Sequence, residues 1–194
     1  MPFFGELFVS EYGLVERVQH FSTDGKTFLN SIGKPGERAG EFNRAEGFGI
    51  DSKDQIYVAD SCNHRIQIFS NEGTFLSSYG KAGIGVGELS YPYDVRVDST
   101  GLQFVCEFGN SRVQVFDAKN QPVEILGEAG AAPGQFANPW SLDLDSHGNL
   151  YVADALNHRV QKFLRKKSGV RSQNSIAEMA WVIPRSARCV SSLK

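Results

Sequence analysis

The chain repeats itself every 47 residues. Asp51, Asp98 and Asp145 keep that step, as do Gly33, Gly80 and Gly127. Arg65, Arg112 and Arg159 keep it too, and so do Phe42, Leu89 and Phe136. One period shared by four residue classes means an array of one supersecondary unit, in which each copy buries its faces against its neighbours. No single two-layer domain would demand this spacing.

Each unit reads as four short strands. In the first complete copy they are expected at 48–51, 55–59, 65–69 and 74–79, with period-two alternation and many Val, Ile, Phe and Tyr residues. Turn chemistry separates them: Asp54, Asn71-Glu72-Gly73, Thr100-Gly101 and His147-Gly148-Asn149. Closely spaced strands with no helical period between them indicate an all-β fold. A four-stranded antiparallel unit cannot cover both of its faces alone. Radial stacking does so, and predicts a β-propeller.

The segments VADSCNHRIQIF (58–69) and VADALNHRVQKF (152–163) resemble the NHL repeat. So do the Gly-rich connections that end in GEF, GEL or GQF, with Pro92 and Pro139 shortly after two of them. The resemblance covers roughly residues 5–164. It implies propeller blades, most often six to a ring, which would need about 280 residues. This chain holds a leading unit without its first strand (about 5–46), two complete units (47–92 and 93–139) and a third (140–164) without a clear fourth strand. The expectation is about three and a half blades, a partial ring. A fragment of a longer product is the leading reading. A half-ring completed by a homodimer and a closed four-bladed ring are the alternatives.

The repeats end before Arg165. Residues 1–164 carry 13 basic and 21 acidic side chains, net −8, whereas 165–194 carry seven against one, net +6. A basic tail suits nucleic acid, but here Trp181 is its only aromatic side chain. A disordered or mis-terminated end is the expectation. With 41% hydrophobic residues and a net charge of −2, the whole describes an ordinary folded domain. No run of 18 apolar residues is present, so no membrane insertion is expected. The N-terminus lacks the pattern of a signal peptide, which points to the cytoplasm unless an upstream signal is missing. Cys62, Cys106 and Cys189 show no metal-binding or disulfide spacing.

Four sets of residues carry candidate chemistry. Every unit pairs an acid at the end of its second strand with an arginine opening its third: Glu11/Arg17, Asp60/Arg65, Glu107/Arg112 and Asp154/Arg159. Recurrence in all units marks these as structural, since catalysis needs a group once. The histidines come second. His64 and His158 share one repeat position and are read as loop packing; His147 lies at the opposite end of its blade, and His20 on a third strand. Third, Arg96 and Asp143 lie at one height on neighbouring first strands and are expected to pair, while Asp51, Asp98 and Asp145 cap tight turns. Last, the inter-unit connections and the loops after the second strands emerge on one face. That face carries Arg44, Tyr91, Tyr93 and Trp140 with Asn63, His64, Asn110, Asn157 and His158. Tyr, Trp and Arg on a rim are the usual ingredients of binding hot spots.

The resemblance implies a rigid interaction scaffold. The reading is a non-enzyme without cofactor or metal that binds a protein partner through this loop-bearing face. An RNA-binding module, or a substrate-binding module associated with a ubiquitin ligase, ranks second; the acidic repeat region weighs against RNA. A metal-dependent lyase or lactonase on the same fold ranks third. Propeller lyases similar in architecture use metal-bound histidines, and here no histidine recurs on a first strand.

Overall fold

The computed structural model describes residues 5–166 and 179–182. They form four meandering sheets whose strands lie side by side in chain order. Sheet 1 contains β1 (Leu7–Glu11), β2 (Arg17–Phe21) and β3 (Phe28–Ile32). Sheet 2 contains β4 (Ala45–Ile50), β5 (Ile56–Asp60), β6 (Arg65–Phe69) and β7 (Phe75–Tyr79). Sheet 3 contains β8 (Pro92–Val97), β9 (Gln103–Glu107), β10 (Arg112–Phe116) and β11 (Pro122–Leu126). Sheet 4 contains β12 (Ser141–Leu144), β13 (Leu150–Asp154), β14 (Arg159–Lys166) and β15 (Met179–Val182).

The expected architecture is present: an all-β partial propeller whose leading blade shows three strands among the described residues. Two details differ from expectation. The first strands begin earlier, because a bulge between Ala45 and Phe48 lets β4 continue past the irregularity; β8 has the same shift between Pro92 and Asp94. The last blade does have a fourth strand, but β15 runs parallel to β14 where every other pairing is antiparallel. Arg165 and Lys166 therefore belong to β14 and Met179–Val182 to β15, and residues 167–178 and 183–194 of the tail lie outside the described residues.

Alternation along each strand gives every blade two apolar faces. The front face packs on the following blade and the back face on the preceding one. Tyr57, Ala59, Ile66 and Ile68 from the front of sheet 2 meet Val95, Val105 and Phe116 from the back of sheet 3. Phe8, Val18 and Ile32 meet Ile56, Val58 and Phe69 in the same manner, and Phe104, Cys106, Val113 and Val115 meet Leu142, Leu150, Val152 and Phe163. The inner strands follow one another as β1, β4, β8, β12, and no comparable contact joins β12 back to β1. The ring is open.

The long connections are anchored by the repeated Gly and Phe/Leu positions. Phe42, Leu89 and Phe136 are fully buried, each joined by a short parallel bridge to Pro35, Ala82 or Ala129. Gly33, Gly80 and Gly127 sit at φ 91°, 93° and 76°, where a side chain would strike Phe42, Leu89 and Phe136 in turn. The two repeats are thus one device. The left-handed turn brings the connection back, and the ring or leucine fills the space a Cβ would need.

Candidate functional site

The acid–arginine pairs form as expected, inside a larger network. Asp60 accepts bonds from the Asn43 N–H (2.8 Å), Asn63 Nδ2 (2.9 Å), Arg65 Nε (2.7 Å) and Gln67 Nε2 (3.0 Å). Glu107 receives Ser90, Asn110, Arg112 and Gln114, and Asp154 receives Ala137, Asn157, Arg159 and Gln161. Each of these three carboxylates is wholly buried. Burial pushes the Asp60 carboxyl upward, against its Asn43, Asn63 and Arg65 bonds. At Asp154 burial acts the same way, but the bonds from Ala137, Asn157 and Arg159 prevail and hold it below the usual carboxylate range. Both sites offer the same four donors, so we take the ionised form for both.

The remaining arginine and glutamine atoms bind the connection. Arg65 Nη2 donates to the Arg38 and Glu41 carbonyls at 2.8 and 3.0 Å, and Arg112 and Arg159 do the same one and two blades on. Gln67 donates to the Glu41 carbonyl and accepts from the Gly40 N–H. The glutamines recur two residues after each arginine (Gln19, Gln67, Gln114, Gln161), a signal legible in the period. In sheet 1 the pair Glu11/Arg17 forms at 2.7 Å with Gln19 beside it, and both partners are about one-third exposed (34% and 36%).

This network also engages part of the expected binding rim. The amides of Asn63, Asn110 and Asn157 donate to the Gly36, Gly83 and Gly130 carbonyls as well as to the acids. Their amide N–H groups are thereby tied within the chain. Glu16, His64, Ser111 and His158 occupy the next shared position, all at φ between 42° and 54°. The side chains of Glu16, His64 and Ser111 accept the backbone N–H of Arg44 (2.6 Å), Tyr91 (3.2 Å) and Asn138 (3.2 Å), stapling each blade to the connection of the next. His158 is exposed, and its matching residue, 185, lies outside the described residues.

The aromatic part of the rim does come together. The Arg44 guanidinium stands 5.2 Å from the ring centres of both Tyr12 and Tyr93 and pairs with the Glu46 carboxylate. Burial alone would lower its pKa; the Glu46 bond and charge raise it, so the cation is fixed. Tyr93 stacks on Phe108 at 4.4 Å and meets Trp140 edge-on at 6.4 Å. Tyr91 packs edge-on against His64 at 4.6 Å. A continuous π–cation surface therefore runs from sheet 1 to sheet 4. Its outer members Tyr12 (55%), Tyr91 (43%) and Trp140 (59%) remain exposed. Tyr12, Glu46 and Phe108 were not among the expected rim residues, although Tyr12 and Phe108 open the loops after β1 and β9 and Glu46 shares the repeat position of Tyr93 and Trp140.

Below the rim, Arg96 joins three blades. Its Nη1 donates to the Phe48 carbonyl (2.8 Å) and to Asp94 (2.5 Å), and its Nε lies 3.4 Å from Asp143. The Arg96–Asp143 pair is the one expected from the repeat. Asp94 also accepts the Ser141 hydroxyl at 2.6 Å. Burial raises the Asp94 pKa, opposed by Arg96 and Ser141. At the opposite end, Asp51, Asp98 and Asp145 each accept two N–H groups of the following turn. Among the described residues no group of three or more His, Cys, Asp or Glu side chains is placed to hold a metal ion. No described helix is long and apolar enough to cross a membrane.

Residues 42–69 and 136–163 match the family model of the NHL repeat. No curated protein sequence matches the chain. Among solved structures, it is similar to a streptogramin B lyase (TM-score 0.62, 16% identity, 82% of this chain and 48% of that one). It is also similar to the WD40 propeller domain of Doa1 (0.55, 12%, 81% and 46%) and to XC5397, a gluconolactonase from Xanthomonas campestris (0.52, 14%, 75% and 44%). At these identities the likeness is one of fold, and the chain spans about half the length of the structures it matches.

Proposed function

Starting from a chain of NHL repeats folded as blades of a β-propeller, we propose a non-catalytic scaffold that binds a protein partner through its loop-bearing face. One observation carries this reading: the ladder Tyr12–Arg44–Tyr93–Trp140, pre-organised across all four blades with exposed aromatic faces. Rigid aromatic side chains lose little conformational entropy on docking, and Tyr, Trp and Arg dominate binding hot spots. The ion pairs of the scaffold recur in every blade, and in sheets 2 to 4 the connections satisfy them, so they supply rigidity. Arg44 is neutralised by Glu46, which favours a protein over a phosphate backbone as partner.

The test is selection of displayed random peptides on the immobilised full chain. Selected peptides should lose about tenfold or more in affinity for Trp140→Ala and for Tyr12→Ala, the ordinary cost of a hot-spot truncation. They should bind Ile84→Ala, on an exposed connection, as they bind the parent. Peptides indifferent to both rim variants would defeat the reading. A random RNA pool that yields rim-dependent binders where peptides do not would replace it with the RNA alternative.

A further inference from the structure

The two ends of the open ring are chemically unlike, and the repeat itself shows what each end packs against elsewhere. On the back of sheet 1, Leu7, Val9, Gln19, Phe21 and Phe28 occupy the positions of Ile56, Val58, Gln67, Phe69 and Phe75 on the back of sheet 2. The chemistry is the same residue for residue. The surroundings are not. Ile56 and Val58 are fully buried beneath the front of sheet 1, whereas Leu7 is 48% and Val9 37% exposed. No described sheet covers this face of core composition, and exposed apolar area of this kind costs free energy in proportion to its extent.

Every seam in the chain is a front face on a back face. Sheet 4 presents the one front face among the described residues with no described sheet over it. Tyr151, Ala153 and Val160 there match Tyr57, Ala59 and Ile66, which are at most 6% exposed; Val160 is 68% exposed. Lys162 stands where Ile68 stands in sheet 2, its ammonium 5.2 Å over the Tyr151 ring, so its stem covers apolar surface while its head reaches solvent.

We propose that the back of sheet 1 docks the front of sheet 4 of a second copy of this chain, head to tail. The contact continues the blade-to-blade interface already used three times within the chain. Its two patches differ, so it is heterologous: two copies either close on each other or extend as a series. This surface is separate from the aromatic rim and does not depend on the function proposed for it.

The test is light scattering on the full chain across a concentration series, with two variants. The wild type should exceed the mass of one chain, increasingly so with concentration. Val9→Arg and Val160→Glu should each scatter as single chains with unchanged circular dichroism, because both residues are exposed in the isolated chain. Mixing the two variants should restore association and stop at twice the mass of one chain. Each variant keeps one intact end, so one good contact forms and cannot propagate. A wild type that stays a single chain throughout overturns the proposal. So does Val160→Glu that still self-associates, which would mean that like faces pair, and so does a mixture that fails to recover.

Discussion

His64 accepts the Tyr91 N–H through Nδ1 while its own backbone sits at φ 54°. Both properties are needed at once, and they limit what can replace it. His64→Leu loses the acceptor and places a residue ill suited to the left-handed region, so it should cost about 1 kcal/mol in a urea titration. His64→Asn, which tolerates positive φ and carries an acceptor, should recover most of that. Equal costs for the two would show that the ring packing against Tyr91, and not the staple, is what matters. At the other end of the blades, Asp145 is held at about 2 by the Asn149 amide first, against burial, with the Asn149 and His147 N–H groups adding to it. Its folded value lies below its unfolded one. Its stabilising contribution is therefore full above the ordinary carboxylate range and is lost as pH falls toward about 2. Asn149→Ala should move the Asp145 carboxyl titration, followed by NMR, upward toward that ordinary range. An unmoved titration would assign the shift to the backbone N–H groups and the Tyr151 hydroxyl.

The Gly-rich connection is the element on which blade spacing depends. At Gly80 (φ 93°) a Cβ would lie 2.6 Å from Leu89 Cδ1. Gly80→Ala combines left-handed strain, about 1–2 kcal/mol, with that overlap. Leu89→Ala alone opens a cavity in a fully buried site and should cost about 2–5 kcal/mol. In the double variant the overlap disappears and the strain does not. Its cost should fall short of the sum of the two single costs by 0.5 kcal/mol or more in denaturant titrations, the signature of contacting residues. Strict additivity would deny that glycine and leucine form one device.

Across the molecule, the Arg96 side chain bonds three blades at once. Arg96→Met removes the cation opposite Asp94, whose side chain is 4% exposed. Because Arg96 is itself one-third exposed (32%), solvent softens the loss, and about 2–3 kcal/mol is expected at neutral pH. Burial already raises the Asp94 carboxyl, and without Arg96 it rises further. A raised folded value favours the protonated carboxyl in the folded state. The penalty should therefore shrink as pH falls from 7 toward 5, earlier on acidification than for an ordinary paired carboxylate. A penalty independent of pH would place the role of Arg96 in its Phe48 carbonyl bond instead. For the scaffold reading, added zinc or calcium should leave the melting temperature unchanged; a rise of several degrees would favour a metal-dependent enzyme.

The 47-residue period determined more than fold class. It located the acid–arginine pairs, the turn-capping aspartates and the Arg96–Asp143 pair, because equivalent positions in a repeat meet equivalent neighbours, and a pair predicted once is predicted in every blade. It also contained the glutamines that complete each network, although a short polar side chain in a strand gives no sign of which carbonyl it will find. The rim was legible only in part. Tyr12 and Phe108 share the position after the paired acid, where Ser61 and Ala155 stand in the other units, and Glu46 stands where Tyr93 and Trp140 do; the residue type changes from blade to blade, so a shared position carries no shared role. The rim asparagines, plausible as ligands in sequence, are half-buried and donate to carbonyls of the connection that folds back beside them. The parallel β15 and the uncovered back of sheet 1 likewise follow from where strands end in space, and a one-dimensional pattern carries local spacing but not which faces are left without a neighbour.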